Sequence, residues 1–196
     1  TGIAPKGILI VIGGAVDKGS FTESDFEADV EKNLNFFEEG ILMRILNESK
    51  HKGESRIEII TTASKIPEKV GTEYKRAFEY LGSRNVGVIN IERREEANEE
   101  VSINRLMAAD IVMFTGGDQL RLTSILGGTK FHDLLLEKYQ NDHFVYAGTS
   151  AGAAAASSNM IYQGSSHEAL LKGEVQITQG LGFIDDVIID THFVHR

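Results

Sequence analysis

Between Phe144 and Ala156 an apolar stretch runs into Gly148-Thr-Ser-Ala-Gly152 and then into four alanines. A serine with glycine two residues to either side has the spacing of a nucleophile elbow. The glycines let neighbouring backbone pack against a sharp strand-to-helix turn, and that turn holds the Ser150 hydroxyl clear at the edge of a sheet. The helix that follows aims its unpaired N–H groups at the same spot, which makes the Ala151 amide an oxyanion donor. Small residues also cluster where a helix merely crosses a sheet closely. The strand, turn and helix context favours the nucleophile. The chain has no cysteine, so a thiolate nucleophile, a disulfide and a Cys-ligated metal are all excluded, and a covalent catalyst must be an oxygen nucleophile or a lysine.

A second segment, Ile111-Val-Met-Phe-Thr-Gly-Gly-Asp-Gln119, again ends an apolar run in paired glycines with polar residues beyond. Such a turn can bring the Gly117 amide beside the nucleophile as a second oxyanion donor, with Gln119 offering an uncharged amide to a substrate. Equally, Gly116-Gly117 can simply turn the chain while Asp118 caps a helix from Gln119. The residues alone leave both readings open. For a base, His51, His132, His143 and His167 lie in polar stretches that suit structural roles. His192 follows the apolar run Val187 to Ile189 in Ile188-Ile-Asp-Thr-His-Phe193, at an expected strand end, with His195 its competitor. A metal held by Asp190, His192 and His195 is not expected, because neighbouring strand positions alternate faces. Gly13-Gly-Ala-Val-Asp-Lys-Gly-Ser20 is not a phosphate loop, since Lys18 precedes the last glycine, and it reads as a loop lining the site.

Elements of an α/β protein must position these residues. The 196 residues are 41% hydrophobic and 25% charged, which fits one compact domain. Twenty basic against 29 acidic residues leave a net charge of -9, disfavouring nucleic acid and anionic membrane as partners and leaving small or polymeric peptide-like substrates. No apolar run approaches the roughly 20 residues of a membrane span, and the start does not resemble a signal peptide, so a soluble chain is expected. Gly7 to Ile12 suits a parallel strand buried on both faces, and similar runs recur at Ile57 to Thr61, Val86 to Ile91, Ile111 to Phe114, Phe144 to Ala147 and Val187 to Ile189. Helical periodicity lies between them, at Phe36 to Asn47, Glu68 to Leu81, Val101 to Ala109, Gln119 to Leu126 and Phe131 to Tyr139. This alternation predicts an open, mostly parallel sheet with helices on both faces and a site at the carboxyl ends of the strands.

With Gly13-Gly14, Gly116-Gly-Asp-Gln119, Gly148-Thr-Ser-Ala-Gly-Ala153 and Asp190-Thr-His-Phe193 in the family's order, the chain resembles the cyanophycinases, relatives of the aspartyl dipeptidase peptidase E. The resemblance implies a Ser-His-Glu serine peptidase on a three-layer α/β fold akin to class I glutamine amidotransferases, cytoplasmic, homodimeric and without a cofactor. Its substrate would be cyanophycin, a poly-aspartate whose side chains carry arginine in isopeptide linkage, cleaved through an acyl-enzyme to β-aspartyl-arginine. Carried over by motif, Ser150 is the nucleophile and His192 rather than His195 the base. Gln119, Asp190 and Arg196 line the pocket, and the amides near Gly117 and Ala151 form the oxyanion hole. Thr191 stands where the family motif has glutamine. The family's glutamate lies downstream of the histidine, where only Phe193 to Arg196 follow, so this single domain is expected to continue past Arg196. The alternatives are a peptidase E-like aspartyl dipeptidase, whose motif reads Gly-Gly-Ser-Ala-Gly, and a non-catalytic relative that keeps the peptide pocket.

Overall fold

The computed structural model describes residues 4–14, 40–163 and 176–191. Strands β1 (Ile8–Ile12), β2 (Arg56–Ile60), β3 (Asn85–Ile89), β4 (Ile111–Phe114) and β5 (Val145–Thr149) pair in parallel in the order β1-β5-β4-β2-β3. Period-2 alternation sends their side chains to two cores. Ile111, Met113, Val145 and Ala147 pack with helices α1 (Ile41–Glu48) and α2 (Pro67–Tyr80). Val112, Phe114 and Tyr146 pack on the opposite face with α3 (Glu100–Ala108), α4 (Gln119–Leu126) and α5 (Lys130–Asn141). The result is the three-layer arrangement expected from the βα alternation. The chain steps outward from β2 to β3 and returns to β4 on the other side of β2, and the connecting helices change face with it.

Local signals set the helix starts. Pro67 opens α2, the Asp118 carboxylate accepts from the Leu120 and Arg121 amides at the start of α4, and the Thr129 hydroxyl accepts from the His132 amide in α5. Among the described residues one charge is fully buried: Glu58 in β2 takes the guanidinium groups of Arg56 and of Arg105 from α3, and Arg105 also donates to the Val88 carbonyl at 2.9 Å. No described helix is long and apolar enough to cross a membrane.

Two expectations need correction. β1 is a parallel strand but not one buried on both faces. Among the described residues it pairs with β5 alone, and Val11 is 42% exposed. Val187 to Ile189 is not a strand: after a turn at Asp186, with φ 59°, Val187 and Ile188 lie 46% and 43% exposed. The Ile189 amide donates to Ser157 Oγ at 3.2 Å and Ile189 packs against the core, but three apolar residues do not by themselves specify a ladder partner. Helix α1 is described from Ile41, so the expected stretch from Phe36 to Glu39 lies outside the described residues. Beyond the elbow, the short helix α6 (Ala151–Ala154) leads to an antiparallel pair, β6 (Asn159–Gln163) and β7 (Gln176–Gln179), that the periodicity did not announce.

Candidate active site

Strand β5 ends at Thr149, and the next residue turns sharply. Ser150 has φ 48° and ψ -107°, a region that a side-chain-bearing residue avoids, and α6 begins immediately after it. The Ser150 amide still continues the sheet by donating to the Ile12 carbonyl of β1 at 3.0 Å, while the Ser150 carbonyl receives the Ala154 amide at 2.9 Å. The turn is therefore pinned on both sides. A Cβ on Gly148 would come within 2.4 Å of the Gly152 carbonyl oxygen, and one on Gly152 within 2.6 Å of Phe114 Cβ. Close packing thus does explain the two glycines, but it does not explain a serine at positive φ between them. The buried Tyr146 hydroxyl donates to the Gly152 carbonyl at 2.7 Å, and its ring stacks on Phe114 at 4.7 Å between centroids. Complete burial drives that phenol far above its ordinary range.

The Gly116-Gly117 turn after β4 lies against the nucleophile: a Cβ on Gly116 would meet Ser150 Cβ at 3.4 Å. Gly117, at φ 143°, fits so closely over the β2–α2 loop that a Cβ would overlap the Ala63 carbonyl oxygen, at 2.0 Å. Among the described residues neither the Gly117 nor the Ala151 amide donates a hydrogen bond. The Ala151 amide adjoins Ser150 in the chain, and the Gly117 amide follows the glycine that packs on the Ser150 side chain. Asp118 caps α4 through the Leu120 and Arg121 amides, as the capping reading of this segment expects. Gln119, next in line, donates from Nε2 to the Ile161 carbonyl of β6 at 3.0 Å.

Asp190 and Thr191 return to the carboxyl end of β1, where a Cβ on Gly13 would sit 3.9 Å from the Thr191 carbonyl oxygen. Both are half-buried, and Asp190 has a partner. His192 and Arg196, as well as His167, His195 and the stretch from Ala15 to Ser20, lie outside the described residues. The three described histidines have structural partners, as their polar settings suggested. His51 Nδ1 is 3.1 Å from Asp110, His143 Nε2 is 3.0 Å from the Glu48 carbonyl, and His132 accepts from the Gly128 amide at 3.0 Å while meeting the Leu181 carbonyl at 2.7 Å.

Two residues at the site escaped the motif analysis. Thr149, noticed only as a departure from glycine, places its Oγ1 2.5 Å from the Gly14 carbonyl as donor, and Tyr74 of α2 lies near it. Burial and the nearby Glu73 charge raise the Tyr74 phenol to about 12, while the Thr149 hydroxyl pulls more weakly the other way. Nothing in the sequence links Tyr74 to Thr149, which lie in separate elements brought together by the sheet.

Residues 32–196 match peptidase family S51. A cyanophycinase of Trichormus variabilis is 33% identical over 193 residues, 98% of this chain, and the chain spans 59% of that relative's length. Among solved structures, a peptidase from an acI-B1 Actinobacterium superposes with a TM-score of 0.68 at 22% identity, covering 97% of this chain and 70% of that one. A putative peptidase E from Listeria monocytogenes EGD-e gives 0.50 at 19% identity, over 92% and 75% of the two chains. These two likenesses concern the fold. The strand-turn-helix around Ser150, the glycine turn against it and the match over most of the sequence lead to one placement: the chain belongs to peptidase family S51.

Proposed function

We propose that Ser150 is the nucleophile of a serine peptidase that hydrolyses cyanophycin to β-aspartyl-arginine dipeptides. The observation that carries this reading is the strained strand-to-helix turn at Ser150, with Gly116 packed against its side chain. The Ser150 hydroxyl attacks a main-chain carbonyl of the poly-aspartate, and His192 accepts the hydroxyl proton. The two amides take the charge that develops on the carbonyl oxygen, and His192 returns the proton to the departing amine. Water, deprotonated by the same imidazole, then releases the acyl group and restores Ser150. Gln119, Asp190 and Arg196 hold the arginine-bearing residue. The family match and the cyanophycinase relative support the substrate class. The protein is further proposed to act as a cytoplasmic homodimer.

Incubation with cyanophycin, with aspartyl dipeptides and with casein, followed by mass analysis of the products, tests the assignment. The expected result is β-aspartyl-arginine from cyanophycin alone and none from Ser150→Ala. Cleavage of only the small aspartyl peptides would transfer the protein to dipeptidase chemistry, and unchanged turnover in Ser150→Ala would end the mechanism.

A further inference from the structure

Helix α6 is a single turn, and its carbonyls find their donors one by one. The Ser150 carbonyl takes the Ala153 and Ala154 amides at 3.1 and 2.9 Å, and the Ala151 carbonyl takes the Ala155 amide at 3.0 Å. An uninterrupted helix would next send the Ala156 amide to the Gly152 carbonyl. Ala156 donates instead to Ala153, at 3.2 Å, and the Gly152 carbonyl receives the Tyr146 hydroxyl at 2.7 Å. A side chain of β5 thus stands in for a backbone amide of the helix that β5 leads into. Alternation along the strand puts position 148 next to Tyr146 on one face. A Cβ on Gly148 would fall 2.4 Å from the same Gly152 oxygen, so the bare glycine leaves the space in which the two groups meet. The Tyr146 ring is held in turn: it is fully buried, stacks on Phe114 with centroids 4.7 Å apart and meets Phe183 at 4.5 Å.

The Gly152–Ala153 peptide unit joins this bond to the nucleophile. Its carbonyl accepts from Tyr146, and its amide donates to the Ser150 carbonyl. We infer that the Tyr146 hydroxyl is a positioning group for Ser150, which fixes the plane of that peptide and so holds the first turn of α6, with the serine at its start, against the end of β5. The inference rests on Ser150 as nucleophile, and it gives a buried phenol a part in the reaction that ring packing alone does not require. Tyr146 touches no substrate in this scheme. Removal of its hydroxyl leaves a buried carbonyl without that donor, and the Gly152–Ala153 peptide can then rotate toward another partner. Ser150, at positive φ, depends on such bonds to stay where it is, so the displacement reaches the reacting oxygen.

Tyr146→Phe keeps the ring and deletes the hydroxyl, whereas Phe183→Leu keeps the hydroxyl and loosens the ring. Labelling by a serine-directed fluorophosphonate follows the reactivity of Ser150 whatever the natural substrate. Its rate should fall about tenfold in Tyr146→Phe, as should kcat on cyanophycin, with KM held within about twofold. Phe183→Leu should melt at a lower temperature yet label within about twofold of the parent rate. Amide exchange supplies a readout independent of chemistry: the Ala153 amide should exchange about tenfold faster in Tyr146→Phe, measured relative to the amides of β4. Unchanged labelling in Tyr146→Phe overturns the inference even where that variant melts earlier, because a purely structural hydroxyl would do only that. An equal slowing in Phe183→Leu overturns it too, since packing rather than the hydrogen bond would then place the serine. A parent protein that takes no label removes Ser150 as nucleophile, and the positioning role with it, whatever the exchange at Ala153.

Discussion

Ser150 occupies a backbone conformation that its own Cβ disfavours, at a cost of roughly 1–3 kcal/mol for such a residue. The surroundings over-determine it: the Ser150 amide is committed to Ile12, the Ser150 carbonyl to Ala153 and Ala154, and the glycines on both sides have no room for a side chain. A residue without a Cβ would relieve the strain while keeping every one of those bonds. Ser150→Gly should therefore melt at a higher temperature than the parent while losing all turnover, a gain of about 1 kcal/mol visible in thermal or urea unfolding. A lower melting temperature for that variant would show that the side chain contributes to stability and that the turn is not strained against it. The motif made this residue legible in the sequence. Its φ, and the donors that surround it, belong to contacts between β1, β4 and β5 that no local pattern encodes.

At the level of elements, β2, β3, β4 and β5 were legible because parallel strands covered on both faces read as apolar runs, and most of the helices because their buried positions recur with helical spacing. The same rule failed in two directions. Val187 to Ile189 has the composition of a strand but no ladder partner among the described residues, whereas β6 and β7, mixed in polarity, pair with one another without an apolar run to mark them. Glu58 is a third case, a charge in the middle of a strand that the apolar pattern says nothing about. It is tolerated because α3 delivers Arg105 onto it and Gly87 of β3 leaves the space, since a Cβ there would meet the guanidinium. Arg105→Ala should accordingly cost about 3 kcal/mol in denaturant unfolding, the penalty of a buried carboxylate left with its one half-exposed partner, Arg56. Arg105→Ala together with Glu58→Gln should recover part of that loss. If Arg105→Ala were neutral, the ion pair would not be what joins α3 to the sheet.

For the whole molecule, the two buried phenols set an alkaline limit. Tyr74 is raised from its usual 10.0 to about 12, and Tyr146 is raised further by complete burial. Above pH 10 the unfolded chain gives up protons that the folded chain retains, so the unfolded state binds fewer protons and stability must decline as pH rises. The contribution of Tyr74 is complete below about pH 10 and is lost as pH climbs through 12, with a slope on the order of 1.4 kcal/mol per pH unit within that window. Urea unfolding from pH 9 to 11.5 should show this decline, shallower in Tyr74→Phe, and identical slopes in the two proteins would contradict the assignment. β1 gives the assembly a different kind of asymmetry. It has one ladder partner among the described residues, yet its Ile12 carbonyl anchors the turn that carries Ser150. Reactivity at a single hydroxyl thereby becomes a gauge of the sheet's margin: a reagent that modifies Ser150 reports whether that outer strand is docked, with no label placed on the strand itself.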